Sequence, residues 1–178
     1  MATTTRLMTF AEFEQLPDPQ FGRYELRRGE PVIVPPAKFG HMKVQQMLRD
    51  LLDQAAAGAG RACAEFGFRP VPEHEYRIAD VGYCSTERWN AADPNGYFVG
   101  APDLAIEILS PSNTGKEMLA KRKLCLENGS LEFWVVDIEH RQIDVSTPDG
   151  STITFKAGQT IPLFFAAAAH LNVDAVSA

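Results

Sequence analysis

Cysteine is scarce in this 178-residue chain, and its distribution argues against two kinds of stabilising site. Cys63, Cys84 and Cys125 lie far apart, and no C-x-x-C pair occurs. An odd, scattered set of three cysteines is atypical of a disulfide framework and of a zinc site built on cysteine. The sequence therefore predicts three reduced thiols in a cytoplasmic protein.

Long apolar runs and an excess of basic charge are also missing. No stretch is apolar over the length needed to span a bilayer, and the first residues lack the apolar core of a signal peptide. We therefore expect no membrane association. Acidic residues outnumber basic ones by 23 to 17, for a formal net charge of −6. Nucleic-acid-binding proteins usually carry a basic excess, so this balance counts mildly against a DNA substrate.

The composition that remains is ordinary for a globular protein, with 45% hydrophobic and 22% charged residues. Neither repeats nor linker-like segments occur, so we expect one domain spanning residues 1–178. Apolar periodicity and turn residues predict the order of the elements. The predicted elements are a hairpin (23–34), a helix (40–54), strands (62–70 and 76–84), a loop (86–99), a strand (103–109), a helix (115–128), a strand (132–138) and a hairpin (141–155).

The strand predicted at residues 103–109 is the most informative stretch, because it places carboxylates in an apolar run. Glu107 lies in its middle, between Ile106 and Ile108, and Asp103 lies at its start. An unpaired carboxylate in a core costs several kcal/mol, so Glu107 must be ion-paired, protonated or bound to a metal. Position alone leaves a structural ion pair and a metal ligand equally open.

Asp80 is the corresponding polar residue of the strand predicted at 76–84. Neighbouring strands lie about 4.8 Å apart, so Asp80 and Glu107 could share one cation across them. Asp103 could not share it, because four residues along a strand separate Cα atoms by about 13 Å. Two carboxylates completed by water suit a hard divalent ion, Mg²⁺ or Mn²⁺.

Several motifs, taken in order along residues 9–149, resemble the Uma-type restriction endonucleases, a branch of the PD-(D/E)XK nuclease superfamily. These are Tyr-Glu-Leu-Arg-Arg-Gly-Glu (24–30), His41 at a helix start, Ala-Asp-Val (79–81), Pro-Asp-Leu-Ala-Ile-Glu-Ile-Leu-Ser-Pro-Ser (102–112), Lys121, and Gly-Ser-Leu-Glu-Phe-Trp-Val-Val-Asp (129–137). The resemblance implies a restriction-endonuclease-like α/β (α+β) core, in which a mixed central sheet is flanked by two main helices.

The same resemblance implies roles for individual residues. Asp80 and Glu107 would be catalytic metal ligands, and Lys121 would be the catalytic lysine. The superfamily usually places that lysine two residues after the glutamate, where this chain has Leu109. Without the resemblance, Lys121 would be interpreted as a solvated helix lysine. Its neighbour Lys123 is a competing candidate, but only one of the two can face the site, because two residues turn about 200° around a helix.

Three other polar residues are expected to surround the metal ligands rather than bind the metal. Asp103 is assigned to the start of its strand or to contact with a ligand. His41 alone suggests a helix cap or a surface residue, and Glu25 suggests a strand-edge ion pair.

These expectations define two functional hypotheses. The first is a Mg²⁺- or Mn²⁺-dependent endonuclease that cuts DNA as a homodimer, since duplex DNA offers two equivalent strands to a twofold assembly. The second is a catalytically inactive nuclease-fold domain that binds nucleic acid or a protein partner. The acidic net charge favours the second hypothesis, and the combination of Asp80, Glu107 and Lys121 favours the first.

Overall fold

The computed structural model describes residues 6–110 and 114–176. Its α-helices are α1 (Phe10–Phe13), α2 (Phe39–Ala56), α3 (Thr86–Ala91) and α4 (Gly115–Glu127). Its strands are β1 (Arg23–Arg27), β2 (Glu30–Val34), β3 (Gly60–Arg69), β4 (Arg77–Ser85), β5 (Phe98–Val99), β6 (Leu104–Ile108), β7 (Glu132–Asp137), β8 (Gln142–Ser146), β9 (Thr152–Lys156), β10 (Thr160–Pro162) and β11 (His170–Asn172). A 3₁₀ helix, Val173–Val176, follows β11.

Seven strands form one mixed sheet, in the order β5-β3-β4-β6-β7-β8-β9. β6 occupies the middle, pairing antiparallel with β4 and parallel with β7. Every residue of β6 is buried, as expected for a strand covered on both faces. The mixed α/β architecture expected from the sequence is confirmed.

The two long helices pack on opposite faces of this sheet. α2 has apolar residues at helical spacing, and Leu48 and Leu52 are completely buried against Ile106 and other β6 residues. Full burial of such a side chain contributes about 1.5–3 kcal/mol. On the other face, Cys125 of α4 packs in a separate cluster that includes Ala105. Side chains along β6 alternate between the two clusters, as the pleat of a strand requires.

The β1–β2 hairpin is attached to the backbone immediately before β4. Its turn is Arg28-Gly29, whose φ angles of 51° and 74° are typical of a type I′ turn. Glycine suits the second position because a Cβ there would lie 2.7 Å from the side chain of Leu7. The hairpin is anchored by reciprocal backbone hydrogen bonds of 2.9 Å between Leu26 and Tyr76.

Two regions differ from expectation or were not predicted. The loop predicted at residues 86–99 is wrong at both ends. The Ser85 side chain caps α3 at the start, and Phe98–Val99 pairs with β3 as β5 at the end. The turn-forming residues of that stretch lie between the two, from Asp93 to Gly96. Sequence patterns predict little after Pro162, yet this tail forms β11 and the 3₁₀ helix, and it adds Leu171, Val173 and Val176 to the α2-side core.

The cysteines are all unbridged. Within residues 6–110 and 114–176, no helix has the length and apolarity needed to cross a membrane.

Candidate active site

The site forms where β4 and β6 separate. Their last paired residues are Val81 and Ile106, and continuing this register by one step sets Asp80 opposite Glu107. The backbone does not continue the pairing there. Instead, the Ile108 N–H donates a hydrogen bond of 2.7 Å to Asp80 Oδ2. A carboxylate therefore occupies the space between the strands where a backbone hydrogen bond would otherwise lie.

Asp80 is held by two side chains from the first turns of α2. Its Oδ1 accepts a hydrogen bond of 3.0 Å from Gln45 Nε2 and lies 3.0 Å from His41 Nε2. Burial pushes the pKa of Asp80 upward, but His41 and the Ile108 N–H outweigh burial and hold it below its usual value. The hydrogen bond to Asp80 raises the pKa of His41 despite partial burial. Asp80 is therefore ionised at neutral pH and oriented by α2.

Glu107 is in a less favourable environment for its charge. Burial, reinforced by the nearby charge of Asp80, raises its pKa to about 7, although Lys121 acts in the opposite direction. Its Oε1 lies 2.7 Å from Lys121 Nζ. The two groups form a buried ion pair, and within the described residues Oε1 has no further polar partner.

Lys121 reaches the site from α4. Its Nζ donates a hydrogen bond of 2.7 Å to the Ile78 carbonyl and lies 3.8 Å from Glu25 Oε1. Burial lowers the pKa of Lys121, but the carboxylates of Glu107 and Glu25 outweigh it and raise the value. Lys123 is 74% exposed at its side chain and pairs with Glu127 at 3.8 Å. Of the two lysines considered from the sequence, Lys121 alone points into the site.

Glu25 connects the β1–β2 hairpin to the site through Ile78 and Lys121. Its Oε1 accepts a hydrogen bond of 2.9 Å from the Ile78 N–H, and its Oε2 accepts one of 2.8 Å from Arg27 Nε. Arg77 Nη1 lies 3.5 Å from Oε2. Burial opposes ionisation of Glu25, but Lys121, Arg77 and Arg27 outweigh it and lower its pKa. Glu25 and Lys121 thus satisfy both polar backbone groups of Ile78 beyond the end of the β4–β6 pairing.

A cavity of about 210 Å³ opens above Glu107 and Lys121. The β1–β2 hairpin contributes Arg27 and an apolar wall, and α4 contributes Glu117 and Met118. The apolar wall consists of Val32, Ile33, Val34 and Pro35. The cavity gives a ligand access to the acid–lysine pair from solvent.

Asp103 lies outside this arrangement. Its Oδ1 lies 2.5 Å from Arg88 Nη1, and its Oδ2 accepts a hydrogen bond of 2.7 Å from the Ser85 N–H. These contacts place it at the start of β6, where it ties the strand to α3. Of the three residues expected around the ligands, the structure brings Glu25 and His41 to the site, but not Asp103.

The donor set fits a hard divalent ion that is bound by few protein ligands. Among residues 6–110 and 114–176, no three His, Cys, Asp or Glu side chains form a ready-made metal cluster. Mg²⁺, however, is often held by one or two carboxylates, with water and substrate phosphate completing its coordination. Asp80 and Glu107 would provide that pair, and within the described residues Glu107 Oε1 has no polar partner other than Lys121.

Sequence reasoning missed Gln45 and Arg77. Gln45 is 2% exposed and lies on the α2 face that also carries Leu48 and Leu52, so a polar residue in the apolar stripe was the available signal. Arg77 is 8% exposed, and its Nε donates a hydrogen bond of 2.8 Å to Glu75. No local pattern indicates that Arg77 reaches Glu25, because that contact depends on where the hairpin attaches.

Comparisons with known proteins agree with this architecture. Among solved structures, the chain is similar to a crystal structure of a "putative nuclease belonging to DUF820" from Anabaena variabilis ATCC 29413, with a TM-score of 0.82 and 22% identity. The match covers 96% of this chain and 97% of that one, which establishes a shared fold. Curated proteins gave no significant match. The model of the Uma2 family, described as "Putative restriction endonuclease", matches residues 10–174, and the chain therefore belongs to the Uma2 family.

Proposed function

We propose that this chain is a metal-dependent endonuclease that hydrolyses phosphodiester bonds of DNA. The observation that carries the proposal is the position of Asp80 opposite Glu107 where β4 and β6 separate, with Lys121 Nζ 2.7 Å from Glu107. The Uma2 family and the Anabaena variabilis protein are both described as nucleases, which supports the same reaction class.

Mg²⁺ or Mn²⁺ is the proposed cofactor, held by Asp80 and Glu107. When bound, such an ion polarises a scissile phosphate and lowers the pKa of a coordinated water. His41 and Gln45 keep Asp80 oriented, and His41 favours its ionised form. A ligand held in this way needs little rearrangement when the cation binds.

Lys121 supplies positive charge next to the proposed metal ligands. The hydrogen bond to the Ile78 carbonyl and the two carboxylates fix its ammonium group in place. A preorganised cation beside a reacting phosphate stabilises the charge that develops in the transition state. This is the role that we assign to Lys121, while Glu25 positions it.

The competing hypothesis is a nuclease-fold domain that binds nucleic acid or a protein partner without cutting. Two observations favour it: the net charge of −6, and the ion pair in which Lys121 already partly neutralises Glu107. An enzyme and an inactive domain differ in their response to metal, because only the enzyme requires a divalent ion for a chemical step.

Incubation of the purified protein with plasmid and linear DNA tests the proposal. We expect cleavage with Mg²⁺ or Mn²⁺ and none with EDTA. Lys121→Met should remove cleavage, and the matched control Lys123→Met should retain it, because Lys123 points to solvent. Normal cutting by Lys121→Met, or inactivation by Lys123→Met, would show that the lysine assignment is wrong. A wild type that cuts with neither metal would favour the binding domain.

The remaining sequence-based expectations belong to the same proposal. We propose a single domain, a homodimer and a cytoplasmic location. The unbridged cysteines are consistent with the location, and the two equivalent strands of duplex DNA motivate the dimer. Light scattering of the purified protein gives the oligomeric state directly.

A further inference from the structure

A second cavity, of about 460 Å³, adjoins the proposed active site between the Arg28-Gly29 turn and α4. Arg27, Arg77 and Glu117 line both cavities, so the two spaces share part of their walls. The remaining residues of the second cavity are Arg28, Glu30, Glu75, Lys116, Ala120 and Leu124. We call the second cavity, with this lining, the flanking groove.

Two cations of the flanking groove are available to a ligand. Arg28 and Lys116 are exposed, and within the described residues neither has a carboxylate at ion-pairing distance. The turn that carries Arg28 is fixed, because the Arg28 N–H donates a hydrogen bond of 3.0 Å to Glu75 Oε1. Lys116 lies in the first turn of α4, whose N-terminus also favours an anion. The groove thus presents positive charge on rigid elements at both walls.

Three acidic residues line the groove, and they differ in how strongly they repel an anion. Glu30 is exposed beside the hairpin turn, so solvent and salt screen its repulsion. Glu75 is 5% exposed and is compensated by Arg77 Nε at 2.8 Å and by the Arg28 N–H. Glu117 is more exposed and lies 3.1 Å from Arg27 Nη1. An exposed ion pair of this kind is weak and is screened by salt, so an anionic ligand can displace it.

We propose that the flanking groove binds the phosphate backbone of DNA beside the scissile bond. Arg28 and Lys116 contact phosphates, and Glu117 competes with phosphate for Arg27. This inference rests on the proposed function, since it names how that substrate is held. Cationic side chains without aromatic neighbours suit backbone phosphates rather than stacked bases. Glu25 links the groove to the site, because it contacts both Arg27 of the groove and Lys121 of the site.

Binding of a fluorescein-labelled mixed-sequence 20-base-pair duplex tests the groove without cleavage, by anisotropy in EDTA over a range of salt concentrations. Arg28→Asn keeps a residue that tolerates positive φ, and Lys116→Gln keeps the helix. Each should weaken binding roughly tenfold at 0.1 M salt and lower the salt slope by about 1, the signature of one lost phosphate contact. The matched control is Lys156→Gln, which removes the same charge from β9 at the far edge of the sheet and should change affinity less than about twofold.

Glu117→Gln tests the competition directly. Glutamine can replace glutamate in the capping box with Thr114, so α4 should remain intact. Binding should tighten by several-fold, because Arg27 loses its competing carboxylate. Unchanged or weaker binding by Glu117→Gln would contradict the competition.

The outcomes separate this inference from the proposed function. If Arg28→Asn and Lys116→Gln weaken binding no more than Lys156→Gln, or if the wild type binds no duplex, the groove assignment is wrong even where cleavage is observed. If both variants weaken binding as expected but the wild type cuts with neither Mg²⁺ nor Mn²⁺, the groove assignment stands and the endonuclease proposal fails.

Discussion

The two faces of the central sheet have different compositions, although β6 contributes to both. The face under α2 is mostly apolar and contains completely buried residues such as Ile106 and Trp134. Its polar exception is the contact of His41 and Gln45 with Asp80, where β4 and β6 separate. The face under α4 has a smaller apolar cluster, next to the buried charges of Glu25, Lys121 and Glu107. Alternate residues of one strand point to opposite faces. In β6, Ile106 and Ile108 therefore pack in the apolar core under α2, whereas Glu107 between them lies at the proposed site.

Among the substitutions that distinguish the two faces, Glu107→Gln is expected to have the largest effect, and that effect is on cleavage. Under the proposed function, loss of this carboxylate should reduce cleavage at least a thousandfold, about 4 kcal/mol of transition-state stabilisation. The free energy of unfolding should change little, because burial already disfavours the charge of Glu107 and Lys121 keeps Glu25 and the Ile78 carbonyl as partners. Cleavage assays and urea denaturation measure the two quantities. A large loss of stability in this variant would remove the distinction between the faces.

The opposite result is expected from Leu52→Ala on α2. Leu52 is completely buried in the apolar face, so its truncation should lower the free energy of unfolding by about 2–5 kcal/mol. Cleavage per folded molecule should be unchanged, because Leu52 belongs to the apolar cluster and not to the site. Urea denaturation, with activity normalised to the folded fraction, is the measurement. A fall in normalised activity would mean that the α2 core sets the geometry of Asp80 through Gln45 and His41.

A smaller effect is expected from Asp103→Asn, at the other end of β6. The substitution weakens the charge-assisted contact with Arg88 and the hydrogen bond from the Ser85 N–H. We expect a loss of about 1–2 kcal/mol in unfolding free energy. Calorimetric Mg²⁺ or Mn²⁺ binding should be nearly unchanged, whereas Glu107→Ala should remove it. Loss of metal binding in Asp103→Asn would place this carboxylate in the site after all.

The sequence predicted the sheet and the two long helices because their signals are local. Periodicity located α2, the capping residues at both ends located α4, and a carboxylate within an apolar strand drew attention to Glu107. The reach of Lys121 could not be derived from spacing, because it depends on how α4 lies over the sheet. The resemblance to a family supplied it instead, and the structure shows the contact with Glu107.

Other features escaped prediction for different physical reasons. Leu171 and Val176 belong to short elements that are stabilised by packing on α2 rather than by their own propensity. The Arg77–Glu25 contact joins β4 to the hairpin, and such long-range pairs leave no periodic trace in the sequence. The helix within the loop predicted at 86–99 could have been recognised from Ser85, a good N-cap residue before Thr-Glu-Arg.

Where β4 separates from β6, two backbone amide groups bind carboxylates of the site instead of the neighbouring strand. The amide proton of Ile108 is bonded to Asp80, and that of Ile78 is bonded to Glu25. In a ¹H–¹⁵N NMR spectrum, both resonances should move when the neighbouring carboxylates change charge or partner. A titration with Mg²⁺ would then shift the Ile108 signal more than the Ile78 signal, since Glu25 is not a proposed ligand. Two amides could in this way follow occupancy of the site without any chromophore.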